Sequence, residues 1–211
     1  YCFILIFNFM KKNYFSTFAT QVNPLPTIVA KKTCKSKTFT WLLAMFVLLG
    51  ISDAFGQVAN YTFSESAGTY TSAAGTTVHA SGWDDAVSAN TIPLGFTFVF
   101  NGTNYTTCSI ATNGFLTFGG TVAGTTEFTP ISSGTGYAGA ISAIGYDLIS
   151  NASTITYTTT GTAPNRTFIA QWNNANRYSS GVIAGNFNFQ IRLNETTNVI
   201  NIVYGACAPA T

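Results

Sequence analysis

Apolar and polar side chains alternate along several short segments in the second half of the chain. In the clearest of them, residues 186–194, apolar residues alternate with asparagine, glutamine and arginine. Its apolar positions are Phe187, Phe189, Ile191 and Leu193. Because successive side chains of a strand point to opposite faces, this period of two predicts a half-buried β-strand. Alternation resumes over residues 199–204 after a polar Glu-Thr-Thr-Asn turn, so the two segments predict an antiparallel hairpin.

Five further segments have the length and composition of strands. They are residues 96–100, 105–111, 115–118, 154–159 and 166–172. Asn-Gly pairs at 101–102 and 113–114 separate the first three, and Asn-Gly is a strong hairpin signal because both residues tolerate positive φ. No long window after residue 57 has the 3.6-residue apolar period of a helix. We therefore predict an all-β fold, an antiparallel β-sandwich that is jelly-roll-like or immunoglobulin-like.

The lysines indicate how the chain is exported. All six precede residue 38, and four of them lie in residues 31–37, just before an apolar run of eleven residues, 41–51. Small residues at 54 and 56 complete the pattern of a secretory signal peptide, with cleavage before Gln57. The run is shorter than the roughly 20 residues of a spanning helix, so we predict a cleaved signal-peptide helix; an uncleaved membrane tether is the alternative. The expected location is secreted, extracellular or cell-surface.

The chain divides into three parts on this interpretation. Residues 1–30 open with Tyr1 and an apolar stretch, and we expect a non-native or disordered upstream extension there; the true start codon stays undecided. Residues 31–56 are the signal peptide, and residues 57–211 are long enough for a single β-sandwich domain. That domain has no lysine, and its three arginines and six acids give a formal charge of −3, which argues against nucleic-acid binding.

Catalytic groups are sparse, and we predict that the chain is not an enzyme. His79 is the single histidine, and a hydrolytic triad with Ser81 and Asp84 or Asp85 lacks a nucleophile elbow. Asp84 and Asp85 are hard oxygen ligands that could hold a structural calcium ion, with Asp147 elsewhere in the chain, or they form a solvated turn. Asp147 lies in an apolar stretch, where we expect it to be buried and paired with Arg166 or Arg192. No cofactor is expected.

Two cysteines and four aromatic residues are the remaining candidates. Cys108 and Cys207 could form one disulfide, or remain two free thiols. Trp83, Tyr137, Trp172 and Tyr178 fall at predicted loops or strand ends, where a ring could stack on a sugar while outward-facing Asn and Gln bind its hydroxyls. We expect Trp172 to pack in the core, and Trp83 and Tyr178 to be exposed.

Four blocks of the sequence together resemble a known module. They are IPLGFTFVFNGTNYTTCSIATNGFLTFG, AISAIGYDLIS, GTAPNRTFIAQWNN and FNFQIRLNETTNVINIVYG, in that order. Over about residues 59–205 the chain resembles the β-sandwich module behind the signal peptide of Bacteroidota type IX secretion cargo, which carries fibronectin type III, adhesin-like or hydrolase domains. The resemblance implies secretion, an all-β fold and a non-catalytic accessory role, although Cys108 departs from its pattern.

These observations together predict a secreted non-catalytic module with an adhesion or positioning role, the N-terminal part of a larger extracellular or cell-surface protein. The alternative is a carbohydrate-binding accessory module of a secreted hydrolase. The expected partners are polysaccharides or cell-surface glycans and other domains of the same longer chain, with membrane contact only through an uncleaved signal segment. No sorting domain follows the sandwich segment in this sequence, so we expect either a fragment of a longer product or an export route other than type IX secretion.

Overall fold

A computed structural model describes residues 61–150, 152–179 and 182–208. The predicted upstream extension (1–30) and signal peptide (31–56) lie outside these residues. Within them the chain forms ten strands and no helix. The strands are β1 (Thr76–His79), β2 (Ile92–Phe100), β3 (Thr103–Ala111), β4 (Phe115–Gly120), β5 (Tyr137–Ser142), β6 (Leu148–Ser150), β7 (Ile155–Thr160), β8 (Thr167–Ser179), β9 (Val182–Asn194) and β10 (Ile200–Tyr204). In the part described, no helix is long and apolar enough to cross a membrane.

The strands form two antiparallel sheets. The larger sheet has the order β1-β7-β8-β9-β10, with β6 also paired to β8, and the smaller sheet has the order β2-β3-β4-β5. Strand β7 pairs with the first half of β8 and β6 with its second half, so β6 and β7 follow one another along the same partner. The predicted antiparallel β-sandwich is confirmed.

One apolar core lies between the two sheets. It combines residues of the smaller sheet, such as Phe98 and Phe118, with residues of the larger sheet, such as Trp172 and Phe189. The rings of Trp172 and Phe189 stack with centroids 5.0 Å apart, and both side chains are fully buried. Each such residue contributes about 1.5–3 kcal/mol through burial alone. The alternation predicted for residues 186–194 is confirmed, because the apolar positions of β9 face this core.

Both predicted Asn-Gly turns are confirmed. Asn101 and Gly102 join β2 to β3 with φ of 48° and 75°, which is the left-handed conformation that two-residue hairpin turns require. Gly114 has φ of 82° between β3 and β4, and a Cβ at this position would lie 2.4 Å from the Ile144 side chain. Gly114 is therefore required both by the backbone conformation and by the close packing beside it.

Strand β8 is longer than the sequence predicts. The pattern indicates an end at Trp172, but the strand continues to Ser179 through a bulge in which Asn174 has φ of 50°. The second half reads Asn-Asn-Ala-Asn-Arg-Tyr, which has neither regular alternation nor β-branched residues. Its strand conformation comes from pairing with β6 and β9 rather than from intrinsic preference, because tertiary context routinely overrides strand propensity.

The outer face of the larger sheet is covered by the segment that precedes β1. Gln171 and Gln190 point away from the core, yet both are almost fully buried. The Gln171 side chain accepts a hydrogen bond from the Ala73 N–H (2.9 Å) and donates one to the Ala73 carbonyl (3.1 Å). Gln190 donates to the Thr71 carbonyl at 2.9 Å. These two glutamines therefore bind the chain's own backbone, and the sugar contacts expected of outward-facing Asn and Gln stay a prediction.

Candidate functional site

A concave surface lies beside an irregularity between β2 and β3. Ile92 and Pro93 pair with Cys108 and Thr107, and pairing resumes with Phe98 opposite Tyr105. Four residues of β2, 94–97, therefore lie opposite a single residue of β3, Thr106. Gly95 has φ of 84° at this bulge, and strand glycines commonly mark such sites. We call this feature the β2 bulge.

A shallow groove of about 780 Å³ borders the β2 bulge. It lies between the outer side of β2 and β3 and the turn that joins β9 to β10. Its lining is mostly hydroxyl, amide and small apolar groups with one cation and one anion: Pro93, Gly95, Phe96, Thr97, Val99, Thr106, Thr107, Arg166, Glu195, Thr196 and Asn198. We call it the bulge groove.

Arg166 and Glu195 form a two-point ion pair at one side of the bulge groove. The Arg166 Nε and Nη2 atoms donate to the two Glu195 carboxylate oxygens at 2.7 and 2.5 Å, and the Arg166 backbone N–H donates to the same carboxylate at 3.0 Å. The Arg166 Nη1 atom donates to the Gly95 carbonyl at 2.5 Å, and the guanidinium lies over the Phe96 ring at 5.7 Å. Hydrogen bonding to Arg166 lowers the pKa of Glu195 below its ordinary value. The pair therefore stays ionised and links the larger sheet to the β2 bulge.

Three carboxylates meet at the opposite end of β8. The ligand atoms of Asp84, Asp85 and Asp147 all lie within 4.8 Å of one another. The tight loop after β1 brings the first two there. The Trp83 carbonyl accepts from the Ser150 N–H at 2.9 Å, the Ala86 carbonyl accepts from the Thr112 N–H at 2.9 Å, and the Ala86 N–H donates to the Thr112 hydroxyl at 3.0 Å. A backbone hydrogen bond positions Asp147: its carbonyl accepts from the Tyr178 N–H at 2.8 Å. We call this cluster the acid trio.

Among the described residues, no Lys, Arg or His side chain forms a salt bridge with the acid trio. Desolvation raises the pKa of Asp147, and the charges of Asp85 and Asp84 raise it further. Desolvation and the charge of Asp85 likewise raise the pKa of Asp84. Carboxylate oxygens at this spacing are the ligand type that Ca²⁺ accepts, so the trio is where the calcium predicted at Asp84 and Asp85 would bind. That calcium stays a prediction.

The cations expected beside Asp147 lie elsewhere. Arg166 binds Glu195, and the Arg192 Nε atom donates to the Gln190 side chain at 2.7 Å. The expectation that Asp147 pairs with Arg166 or Arg192 is therefore wrong, because both arginines project from the other half of the larger sheet. The nearest interaction of an arginine in this region is that of Arg177 with the Tyr146 ring, at 4.8 Å.

A family model for NIDO-related domains matches residues 60–211, almost three quarters of the chain and all of the described sandwich. The chain belongs to the NIDO-related family. The modules of this family are of extracellular type. No curated protein and no solved structure shows significant similarity to the chain.

The four candidate aromatic residues do not form a common surface of this NIDO-related domain. Trp172 is fully buried, as expected, and its indole Nε1 donates to the Thr112 carbonyl at 3.1 Å. Trp83 is only 6% exposed, so the expectation that it is exposed is wrong: the loop that carries it folds back onto the core. Tyr137 is half-buried with its hydroxyl bonded to the Pro130 carbonyl. Tyr178 is 42% exposed, as predicted.

The histidine and the cysteines have structural surroundings. The His79 Nε2 atom lies 3.2 Å from the Ile110 carbonyl, which orients the ring along the end of β3. Cys108 is fully buried, and burial raises the pKa of its thiol, so it is unreactive at neutral pH. Cys207 is exposed and its sulfur lies 3.8 Å from the Asn188 carbonyl. Both cysteines are free thiols in the structure, so the disulfide considered between them is not formed there.

The bulge groove was not found by reasoning from the sequence. The sequence predicts a hairpin turn at Glu195, and Thr97 and Thr106 look like ordinary strand threonines. One signal was available: Gly95 lies inside the strand pattern of β2, and a glycine inside a strand pattern suggests a bulge.

Proposed function

We propose that this NIDO-related domain is a non-catalytic module with an adhesion or positioning role, the N-terminal part of a larger secreted or cell-surface protein. The observation that carries the proposal is the family match over residues 60–211, since the family consists of extracellular-type modules. The proposal includes export through the predicted signal peptide and a place in type IX cargo like that of the module the sequence resembles.

The surface supports this role. The described domain carries three arginines and no lysine, so uncharged threonine, serine and asparagine supply most of its polar surface. A rigid sandwich with such a surface suits a spacer or contact module, because loops on a rigid scaffold can carry recognition.

The proposal can be tested by display on beads. Beads coated with the folded chain should be retained on polysaccharide gels or on cell monolayers. Beads coated with Trp172→Asp, which places a charge in the core, should not be retained because the fold is lost. If wild-type beads are retained no better than the Trp172→Asp beads on every surface, the adhesion role is wrong.

Enzymatic activity is the outcome that would contradict the non-catalytic role. The folded chain should show no turnover of ester, glycoside or peptide substrates above a buffer blank. Turnover that disappears in His79→Ala or Asp147→Asn would identify a catalytic site and overturn the proposal.

A further inference from the structure

The bulge groove is a built feature of the fold rather than an accident of the surface. Two donors from the larger sheet hold the β2 bulge in place. The Thr159 hydroxyl donates to the Leu94 carbonyl at 2.8 Å, and the Arg166 guanidinium donates to the Gly95 carbonyl. A Cβ at position 95 would lie 3.2 Å from the Thr159 side chain. The φ of 84° at this position is also unfavourable for any residue other than glycine. Bulges held in this way commonly aim side chains at a functional site.

Hydroxyl groups with no partner in the fold line the groove. Thr97 and Thr106 are exposed and Thr107 is half-buried. None of these three side chains donates or accepts a hydrogen bond within the part of the chain that the structure describes, whereas Thr159 and Thr196 nearby bond to backbone carbonyls. A hydroxyl can both donate and accept, so this row suits a ligand with many hydroxyl groups of its own.

The charges of the groove point to an uncharged ligand. Arg166 and Glu195 are the charged residues in its lining, and they satisfy each other through two parallel hydrogen bonds. An ionic ligand would have to break this charge-assisted pair, which is among the stronger hydrogen-bonded arrangements in proteins. A neutral ligand can bond to the remaining lone pairs and N–H groups at the rim without breaking it.

The shape favours a saccharide over a peptide strand. A volume of about 780 Å³ lies within the roughly 300–1,000 Å³ of small-ligand sites. Pro93 and Val99 give apolar patches for the C–H faces of sugar rings. A peptide that added a strand to β2 would need that strand's backbone groups, but the Leu94 and Gly95 carbonyls are bonded to side chains and the Val99 N–H donates to the Asn198 side chain at 2.8 Å.

We infer that the bulge groove binds a segment of an uncharged oligosaccharide, with Thr97, Thr106 and Thr107 as the hydroxyl contacts. The Arg166–Glu195 pair fixes the groove's side wall and offers further polar contacts. This inference gives a ligand class to the proposed adhesion or positioning role, and it rests on that role only for the extracellular setting.

The test is a titration of the full chain, labelled with ¹⁵N, with neutral hexasaccharides: cellohexaose, laminarihexaose, mannohexaose and xylohexaose. At least one should bind and shift the amide resonances of Gly95, Thr97 and Thr106. The variant Thr97→Val/Thr106→Val keeps the strand shape and removes two hydroxyls. Because each lost hydrogen bond is worth about 1 kcal/mol, the dissociation constant should rise about ten-fold or more. Thr77→Val/Thr103→Val removes two exposed strand hydroxyls outside the groove and should bind like the wild type.

Three results would overturn the inference. They are no binding of any hexasaccharide at millimolar concentration, binding that the Thr97→Val/Thr106→Val variant retains in full, and preferential binding of an acidic oligogalacturonate or of a peptide at the groove. The bead assay separates this inference from the adhesion role. Retention that survives in Thr97→Val/Thr106→Val keeps the adhesion role and removes the groove as its site. If hexasaccharides bind at the groove but wild-type beads are not retained, the groove remains a saccharide site and the adhesion role is wrong.

Discussion

The two ends of β8 show how differently the same type of side chain behaves in one domain. At the first end Glu195 meets the guanidinium of Arg166, which lies directly before the strand. At the second end Asp84, Asp85 and Asp147 meet one another beside Tyr178. Eleven residues of strand, on the order of 35 Å, separate the two ends, so each group of carboxylates responds to its own surroundings.

The difference is visible in the direction of the pKa shifts. Arg166 lowers the pKa of Glu195, whereas desolvation and like charges raise the pKa of Asp84 and Asp147. A lowered pKa means that Glu195 stabilises the fold above its ordinary pKa and loses that contribution as the pH falls through its folded value. The raised pKa of Asp84 and Asp147 means that their charges cost stability at neutral pH, and that this cost is relieved on acidification.

The comparison teaches that the partner, not the residue type, decides whether a carboxylate supports the fold. The first end of β8 is built around a satisfied ion pair and borders the bulge groove. The second end gathers negative charge and relies on neutral hydrogen bonds to hold its loops. The following predictions test this contrast, from the largest expected effect to the smallest.

Asn113→Ala should give the largest effect, by removing the neutral hydrogen bonds of the second end. The fully buried Asn113 side chain accepts from the Leu148 N–H at 2.8 Å and donates to the Glu127 carbonyl and, at 3.4 Å, to Asp85. Leaving a buried N–H unpaired costs about 1–3 kcal/mol, so urea denaturation should show a loss of about 2–3 kcal/mol. Asn104→Ala, on an exposed strand position, should change stability by less than about 0.5 kcal/mol. Equal losses in the two variants would contradict this account of Asn113.

Glu195→Gln should come next, by removing the charge of the first end. The variant should melt at a lower temperature than the wild type at pH 7, because Arg166 loses its anion. The difference should be smaller at pH 3 than at pH 7, because protonation of Glu195 on acidification removes the same charge that the substitution removes. The exposed Glu65→Gln is the control and should leave the melting temperature unchanged at both pH values. A difference for Glu195→Gln that does not depend on pH would show that the ion pair does not act through its charge.

Asp147→Asn should have the opposite sign. Removing one of three like charges should stabilise the fold at pH 7, by at most about 1 kcal/mol because water screens this partly open cluster. The gain should shrink on acidification, because the raised pKa values of Asp84 and Asp147 mean that these groups take up protons early as the pH falls. Destabilisation at pH 7 in thermal or urea unfolding would mean that the Asp147 carboxylate makes a favourable interaction that repulsion does not outweigh.

Calcium should have the smallest effect. Millimolar Ca²⁺ should raise the melting temperature of the wild type slightly, since a divalent cation relieves repulsion among Asp84, Asp85 and Asp147. Asp84→Asn/Asp85→Asn should not respond, and Mg²⁺ should do less than Ca²⁺ because it holds its waters more tightly. An equal rise in the wild type and the double variant would place the ion's effect elsewhere on the surface.

The strands were predictable because their signals are local. The alternation of Phe187, Phe189, Ile191 and Leu193 and the two Asn-Gly turns depend only on neighbouring residues and on the geometry of the extended chain. Trp172 was placed correctly in the core because it continues an alternating strand. Trp83 was not, because its polar neighbours in a loop say nothing about where that loop packs.

The candidate site was less predictable because it joins residues that are distant along the chain. Glu195 lies 29 residues from Arg166, and Arg166 also bonds to Gly95, 71 residues before it. The contact between these residues depends on the register of β8 with β9 and on how the two sheets face each other. Neither feature can be read from neighbouring residues in the sequence. Asp147 likewise meets Asp84 and Asp85 only because β6 pairs with the far half of β8.

The sequence by itself determined that the described part of this chain is a strand-rich sandwich, because a side-chain period of two is a property of each short segment. Tertiary structure alone decided which polar groups are satisfied. In the folded domain, backbone groups of the segment before β1 bond to Gln171 and Gln190, and Glu195 pairs with Arg166. Three aspartates lie close together, and the β2 bulge interrupts the pairing of β2 with β3. The physical reason is that hydrogen bonds and charges act between neighbours in space, and strand register and sheet packing choose those neighbours.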